Sequence, residues 1–410
     1  MRANPLFLLN QLLKMKPVLT LLATLAIVAC TIKAQPPAKF KLVQQPVTLK
    51  SGLSFNLNIP ENYHIAIAAE VTHRLRFLAK SPDGRLFATD LYNRADTKLG
   101  RILIFDRWNP TTNHFDTTIE YLTKLRTPNQ IAFYTDRNKT YIYIAETGTL
   151  KRFEYEAGAN KPKDTGQVIA RYPDYGLNYK YGGWHLTRSL VFRGNKLYVS
   201  IGSSCNACIE KETVRAAIME MNPDGTDQQV YASGLRNSVG LKWVNDKLWV
   251  TSMGRDLIGP DRPEDLMMPV TRNAFYGWPF YYQYKGKVYA DTTFKDSTRS
   301  AAVEEPPVAP VGFKAHSAPL GLEYFANFSD PVLNNSFLVC LHGSTSVWRQ
   351  RGNAVVQINK DGSYTEVING FLQGKTEKER YGRPCDIMQW SGNAFFVTDD
   401  KNGVLYYVWK

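Results

Sequence analysis

The chain has 410 residues, 44% of them hydrophobic and 12% aromatic, which is enough to bury a sizeable core and excludes a disordered or disulfide-only scaffold. The formal net charge of +13 points to anionic partners: nucleic acid, a membrane surface or an acidic small molecule. Nucleic acid is set aside. The basic residues are scattered, Lys41, Lys50, Lys98 and Lys242 read as ordinary solvated surface, and no basic stripe or known module is visible.

At the N-terminus, Lys14 and Lys16 precede an apolar run from Val18 to Ala29, too short to span a membrane as a mature helix. The run ends Ile27-Val28-Ala29-Cys30, which resembles a bacterial lipoprotein cleavage box. Residues 1–29 then form a signal peptide, with Met15 an alternative start, and Cys30 carries the lipid. Residues 30–45 form a polar tether, and 46–410 one large folded domain. A plain secretory peptide with an incidental cysteine is the competing reading. Either way the protein is exported, to the periplasm or cell envelope. On the first reading it meets a membrane only through its lipid anchor.

From there one pattern recurs: a polar or Arg residue, an alternating apolar strand, a tight turn and a second strand. The first copy is Arg76–Ala79, a Ser81-Pro82-Asp83-Gly84 turn and Leu86–Asp90. The second is Asn129–Phe133 with Tyr141–Ala145, and the third Arg188–Phe192 with Leu197–Ser200. The fourth is Val239–Trp243 with Leu248–Thr251, and the fifth Leu320–Tyr324 with Phe337–Cys340. The sixth is Arg383–Trp390 with Phe395–Asp399. Period-2 alternation, β-branched and aromatic residues and hairpin turns mark each copy as paired strands. Third strands show at Gly100–Phe105 and Ala354–Ile358, and the chain ends on one, Val404–Val408.

A spacing of about fifty to eighty residues leaves room for two further strands per copy. The expected fold is therefore all-β: a six-bladed β-propeller with four-stranded blades. A pair of β-sandwiches would not explain the fixed order of strand, turn and strand.

Export places the cysteines in an oxidising compartment. Cys205 and Cys208 form a C-x-x-C without the second pair that structural zinc needs, so a local loop-stiffening disulfide is expected. Cys340 and Cys385 are the other candidate pair, and sequence alone does not fix their pairing.

Propellers place chemistry on loops converging at one end of the central channel. The positions just before the inner strands are rich in Arg and His: Arg76, His185 with Arg188, Arg236 with Asn237, His316, His342 and Arg383. Each Arg taken singly is as well explained by a structural ion pair. Several converging on one axis call for an anion.

These segments also carry a resemblance. Tyr181-Gly182-Gly183-Trp184-His185-Leu186-Thr187-Arg188 and Gly234-Leu235-Arg236-Asn237-Ser238-Val239-Gly240 are similar to segments of the soluble quinoprotein glucose/sorbosone dehydrogenases. So are Tyr276-Gly277-Trp278-Pro279, Ala315-His316-Ser317, His342-Gly343-Ser344 and Gly382-Arg383-Pro384. The matches run in chain order over about residues 70–408. The sorbosone and pyranose dehydrogenase branch resembles this chain most.

The resemblance implies two cofactors, pyrroloquinoline quinone (PQQ) and Ca²⁺, at the channel mouth. It implies PQQ contacts from Arg236, Asn237, His342 and Arg383, with Arg188 a further candidate, and Ca²⁺ on the carbonyls of Gly259 and Pro260. Arg is suited to bidentate pairing with the three carboxylates of PQQ. Glu264 and Asp265 read equally well as a structural Ca²⁺ site or a solvated acidic turn. His185 is the implied base and Arg236 the implied catalytic partner that stabilises the reduced oxygen. A sugar is the implied substrate, with a cytochrome or quinone as electron acceptor. Trp184, Trp278, Phe280 and Tyr281 are candidates for a sugar platform, although blade packing explains each of them.

Two departures stand out. Ser203 occupies the place where some members orient the histidine with Asp, and the loop after His342 lacks the usual Trp-Asn. A non-catalytic propeller that binds a glycan or protein partner at the cell surface is the alternative function. A lactonase-like propeller hydrolase would want an axis rich in carboxylates, and this one is rich in Arg and His.

Overall fold

Each strand–turn–strand copy becomes the inner half of a four-stranded antiparallel sheet in the computed structural model, which describes residues 40–174, 185–295 and 303–410. The signal peptide, Cys30 and Trp184 lie outside the described residues.

Blade 1 is Leu75–Lys80, Leu86–Asp90, Gly100–Asn109 and His114–Leu125; blade 2 is Ile131–Asp136, Lys139–Ala145, Thr149–Tyr155 and Gln167–Arg171. Blade 3 is Arg188–Arg193, Lys196–Ile201, Ala217–Met221 and Gln229–Ser233, with Ala274–Phe275 added in parallel at its edge. Blade 4 is Ser238–Val244, Lys247–Ser252, Asp265–Val270 and Val311–Phe313. Blade 5 is Pro319–Phe325, Ser336–Leu341, Ala354–Ile358 and Tyr364–Ile368.

Blade 6 takes Pro384–Gln389, Ala394–Asp399 and Val404–Trp409 from the end of the chain and His64–Glu70 from its beginning. The ring is thus closed by backbone hydrogen bonds between distant parts of the sequence. Leu42–Thr48 pairs with Ser54–Pro60, so residues 42–45, read as tether, belong to the folded body. The helical turns among the described residues are short 3₁₀ segments, Val347–Arg349 and Glu377–Glu379.

The inner strands Leu86–Asp90 and Ala394–Asp399 are buried throughout, whereas the outer strand His114–Leu125 keeps alternate residues exposed. Side chains from adjacent blades mix in each interface. Leu103, Phe105 and Phe115 of blade 1 pack with Phe396 and Leu405 of blade 6. Phe87 and Ile104 of blade 1 pack with Ile142 and Phe153 of blade 2. Radial sheets diverge outward, and rings such as Trp108, Phe115 and Phe396 fill the wedge. Full burial of one such ring stabilises by about 1.5–3 kcal/mol. At the axis Phe77, Val239, Leu320 and Cys385 meet in a small apolar plug.

A repeated device fixes the inner strands. In blades 1, 4 and 6 the first strand bulges near its start. A threonine on the second strand accepts from the bulge: Phe77 N to Thr89, Gly240 N to Thr251 and Asp386 N to Thr398, each 2.9 Å. The same hydroxyls donate across to the next blade, onto the carbonyls of Asn129, Leu320 and Arg76. Each threonine satisfies a backbone group freed by its bulge and stitches two blades together. Gly240 is needed here, because a Cβ would lie 2.2 Å from the Leu320 carbonyl oxygen.

Candidate active site

The strand starts and the loops after the second strands enclose a cavity of about 510 Å³ over the axial plug. Val239, Leu320 and Met253 form its floor. Its wall carries six arginines (Arg74, Arg76, Arg94, Arg236, Arg255 and Arg383) and two aspartates, Asp256 and Asp265.

His185 precedes the inner strand of blade 3 and has a left-handed backbone, φ 46°. Its Nδ1 lies 2.9 Å from the Ser203 carbonyl oxygen and 3.0 Å from Ser203 Oγ. A carbonyl only accepts, and the Ser203 hydroxyl spends its proton on the Cys205 carbonyl at 2.7 Å. Both oxygens therefore require a proton on Nδ1, and the neutral ring keeps its lone pair on Nε2. Burial first, and then the charge of Arg236, holds the His185 pKa well below its usual value, so the ring is neutral at pH 7. Ser203 thus sets the tautomer without the negative charge that an Asp would add. Gly202 permits the approach, since a Cβ there would sit 2.6 Å from His185 Cβ.

Arg236 leads into blade 4. Its Nε donates to the Asn206 carbonyl (2.9 Å), Nη2 to Asn206 Oδ1 (3.0 Å) and Nη1 to the Gly254 carbonyl (2.9 Å). Burial lowers its pKa to about 10, which leaves it charged at neutral pH. Asp256 Oδ2 lies 3.7 Å away. Asp256 Oδ1 accepts from His316 Nδ1 at 3.0 Å, while His316 Nε2 faces the Gly259 carbonyl at 3.3 Å. Two acceptors require two N–H groups, so His316 is an imidazolium, consistent with the upward pull of Asp256 on its pKa.

The opposite wall is organised by Asp400. It accepts from Arg76 (2.8 Å) and His342 Nε2 (2.7 Å) and forms an ion pair with Arg74 (2.9 Å). Burial pushes the Asp400 pKa up, but these partners outweigh it and keep the carboxylate ionised. His342 is neutral, its pKa lowered to about 3 by burial and then by Arg383. Arg383 donates to the carbonyls of His342 (3.1 Å) and Gly343 (2.5 Å).

His185, Arg236, Asn237, His342 and Arg383 are therefore brought to one cavity, with Arg76 and His316. Arg188 is not among its lining residues. Its side chain is fully buried beside Arg215, and Nη1 donates to the carbonyls of His185 (2.6 Å) and Thr187 (3.1 Å). It supports the backbone of His185 rather than facing a ligand.

Gly259 and Pro260 also fall outside the cavity wall. Their carbonyls face the His316 imidazolium and, at 3.4 Å, Arg349. Carbonyls turned to cationic donors do not fit Ca²⁺. Asp265 accepts from the Gly254 and Ala318 amides, and Glu264 from Lys285 N and Gln283 Nε2, so this pair braces loops.

Trp278 and Tyr281 line an adjoining hollow of about 50 Å³ instead of the main cavity, and Phe280 is buried. Cys205 and Cys208 are disulfide-bonded, whereas Cys340 and Cys385 are buried free thiols. Sequence reasoning missed Asp256, Asp400 and Asn206. The one available signal was the acidic ending that the sixth copy, Phe395–Asp400, shares with Leu86–Asp90.

Six radial sheets around a cationic cavity, with a neutral histidine on its wall, define a six-bladed β-propeller with an arginine-lined axial pocket. The glucose/sorbosone dehydrogenase family model matches residues 131–406, and the chain belongs to that family. Two solved structures share the fold. One is the holo form of the pyranose dehydrogenase PQQ domain from Coprinopsis cinerea (14% identity, TM-score 0.68, 89% of this chain and 98% of that one). The other is the calcium structure of a Trichoderma reesei carbohydrate-active enzyme of family AA12 (15% identity, TM-score 0.70, 91% and 98%). An uncharacterised protein from Borreliella burgdorferi is 27% identical over 230 residues, 53% of this chain and 58% of that protein. The chain thus spans less than two thirds of that relative's length.

Proposed function

We propose that this chain is a PQQ-dependent dehydrogenase that oxidises a carbinol or hydrated aldehyde carbon of a sugar. The observation that carries the reading is the arrangement of the cavity: His185 Nε2, unprotonated at neutral pH, shares it with six arginines. The quinone fits this donor set. Arg74 Nε is buried with no hydrogen-bond partner, and Arg94 at the rim makes no ion pair among the described residues, so donor capacity remains for a multiply charged anion.

Arg383, Arg236, Asn237 and His342 would hold the cofactor, which when bound supplies the two-electron acceptor. His185 Nε2 takes the substrate hydroxyl proton, and the Ser203 carbonyl steadies the ring as charge develops on it. Arg236, fixed by Asn206 and Gly254, holds a positive charge at the cavity, where it would offset negative charge on a bound cofactor. Family membership, the PQQ domain from Coprinopsis cinerea and the calcium structure from Trichoderma reesei support the reading. No step is assigned to Ca²⁺, because Gly259 and Pro260 do not fit it.

The test is reconstitution. The purified chain is mixed with PQQ and Ca²⁺ and assayed with a dye acceptor over a panel of aldoses, pyranoses and sorbosone-like sugars. Turnover that depends on added PQQ is expected. Glycan or protein binding without turnover would favour the non-catalytic alternative. The same reading takes the protein to be exported and anchored through lipid on Cys30, passing electrons to a cytochrome or quinone. Cys30→Ser should then release it into the soluble fraction, and unchanged membrane association would contradict the anchor.

A further inference from the structure

Behind the wall shared by His185 and Arg236 lies the short loop closed by the Cys205–Cys208 disulfide. We propose that this loop is the positioning element of the site and that Asn206, inside the disulfide ring, is the positioning residue for Arg236. The inference rests on the dehydrogenase function proposed above.

Asn206 turns its carbonyl and both side-chain polar atoms to the site. Its carbonyl accepts from Arg236 Nε (2.9 Å) and Trp278 Nε1 (3.3 Å). Its Oδ1 accepts from Arg236 Nη2 (3.0 Å) and Asp256 N (2.8 Å), and its Nδ2 donates to the Asp256 carbonyl (3.0 Å). One residue therefore grips the Nε–Nη2 edge of the guanidinium and both backbone groups of the neighbouring acid.

The same loop reaches the base. The Cys205 carbonyl takes the Ser203 hydroxyl proton, and Ser203 orients His185. Ser203 N also donates to the Arg236 carbonyl at 2.8 Å. Glu210 anchors the loop base by accepting from Ser204 N (2.6 Å) and Ser204 Oγ (2.8 Å). The base from blade 3 and the cation from blade 4 are thus joined through one covalently closed turn.

The disulfide matters because the Asn206 carbonyl is one of the gripping groups. Ring closure prevents that peptide from rotating away. Without Oδ1, Arg236 loses an acceptor 3.0 Å away, while the Asp256 carboxylate stands 3.7 Å from Nη2 and is freed at its own amide. The guanidinium then closes on Asp256 and leaves its place at the cavity.

The test compares the wild-type chain with Asn206→Ala, Asn206→Asp and the double variant Cys205→Ser/Cys208→Ser. Hydrogen exchange is read over residues 253–257, which include the Asp256 amide, and steady-state turnover is measured with PQQ, Ca²⁺ and an aldose. Asn206→Ala should lose amide protection there, with kcat about 10–100-fold lower and the sugar KM within about threefold. Asn206→Asp should restore most of both, because a carboxylate still accepts from Arg236 and Asp256 N. The double serine variant should lose the same protection.

Wild-type protection and kcat in Asn206→Ala would overturn the proposal. So would an Asp variant no better than the Ala variant, or unchanged exchange in the double variant. If the wild-type chain oxidises no sugar, the functional reading fails, and the exchange pattern alone still decides the positioning role.

Discussion

Arg76 and Asp400, 324 positions apart in the chain, form a buried ion pair of 2.8 Å between blades 1 and 6. Arg74 and His342 converge on the same carboxylate, so one acid neutralises a wall that would otherwise repel itself. Asp400→Asn should destabilise the fold by about 3–5 kcal/mol, the cost of leaving buried cations without their anion. Urea denaturation at pH 7 measures it. A midpoint equal to wild type would mean that the arginines are neutralised elsewhere.

The base is held neutral by its surroundings, and this sets the sign of the pH response. The His185 pKa lies well below the ordinary value because of burial and Arg236, so protonation inactivates only at correspondingly low pH. The acid limb of kcat/KM should therefore fall below about pH 6.5, the pKa of an unperturbed histidine. His185→Ala should lower kcat by about 10²–10⁴-fold while sparing cofactor binding. A limb at or above the ordinary value, or full activity in the Ala variant, would remove His185 as the base.

Asp386 offers a test of the frame away from the chemistry. Buried near the axis and accepting from Leu78 N at 2.9 Å, it has its pKa raised to about 7, chiefly by desolvation. The folded state thus binds a proton that the unfolded chain releases near the ordinary carboxyl value of about 3.8. Its contribution is fully present below that value and is lost as pH rises through 7. Asp386→Asn should therefore gain on wild type as the pH rises, by on the order of 1–3 kcal/mol between pH 5 and pH 8. Thermal or urea unfolding at the two pH values checks this, and a difference independent of pH would contradict it.

The inner strands were legible because alternating apolar, β-branched and aromatic residues bounded by hairpin turns mark paired strands, as at Leu86–Asp90 and Phe395–Asp399. The polar residues beside those strands were legible because they interrupt an apolar pattern: Arg236 and Arg383 just before a first strand, and His342 just after the second strand Ser336–Leu341. Direction was not. Arg188 sits at the start of an inner strand as predicted, yet its side chain turns between blades, where only the tertiary neighbours Tyr172 and Arg215 decide.

Carbonyl orientation at Gly259 and Pro260 leaves no trace in residue type. Nor does the excursion between Asp265–Val270 and Val311–Phe313, which adds an outer strand to blade 3 and a hairpin at Tyr281–Ala290. Asp400 was missed because its meaning lies in a contact with Arg76 across the closure of the ring.

The cationic wall is the part of the functional account most open to direct measurement. Arg383 fixes the backbone of His342 and Gly343 and presents its charge, with a pKa lowered to about 9 by burial, to the cavity. Titration of the full chain with PQQ, followed by calorimetry, tests whether that wall is a cofactor site. The account predicts saturable binding of one equivalent, weakened by added salt and by about tenfold or more in Arg383→Gln. No binding by the wild-type chain, or identical isotherms for wild type and Arg383→Gln, would contradict it.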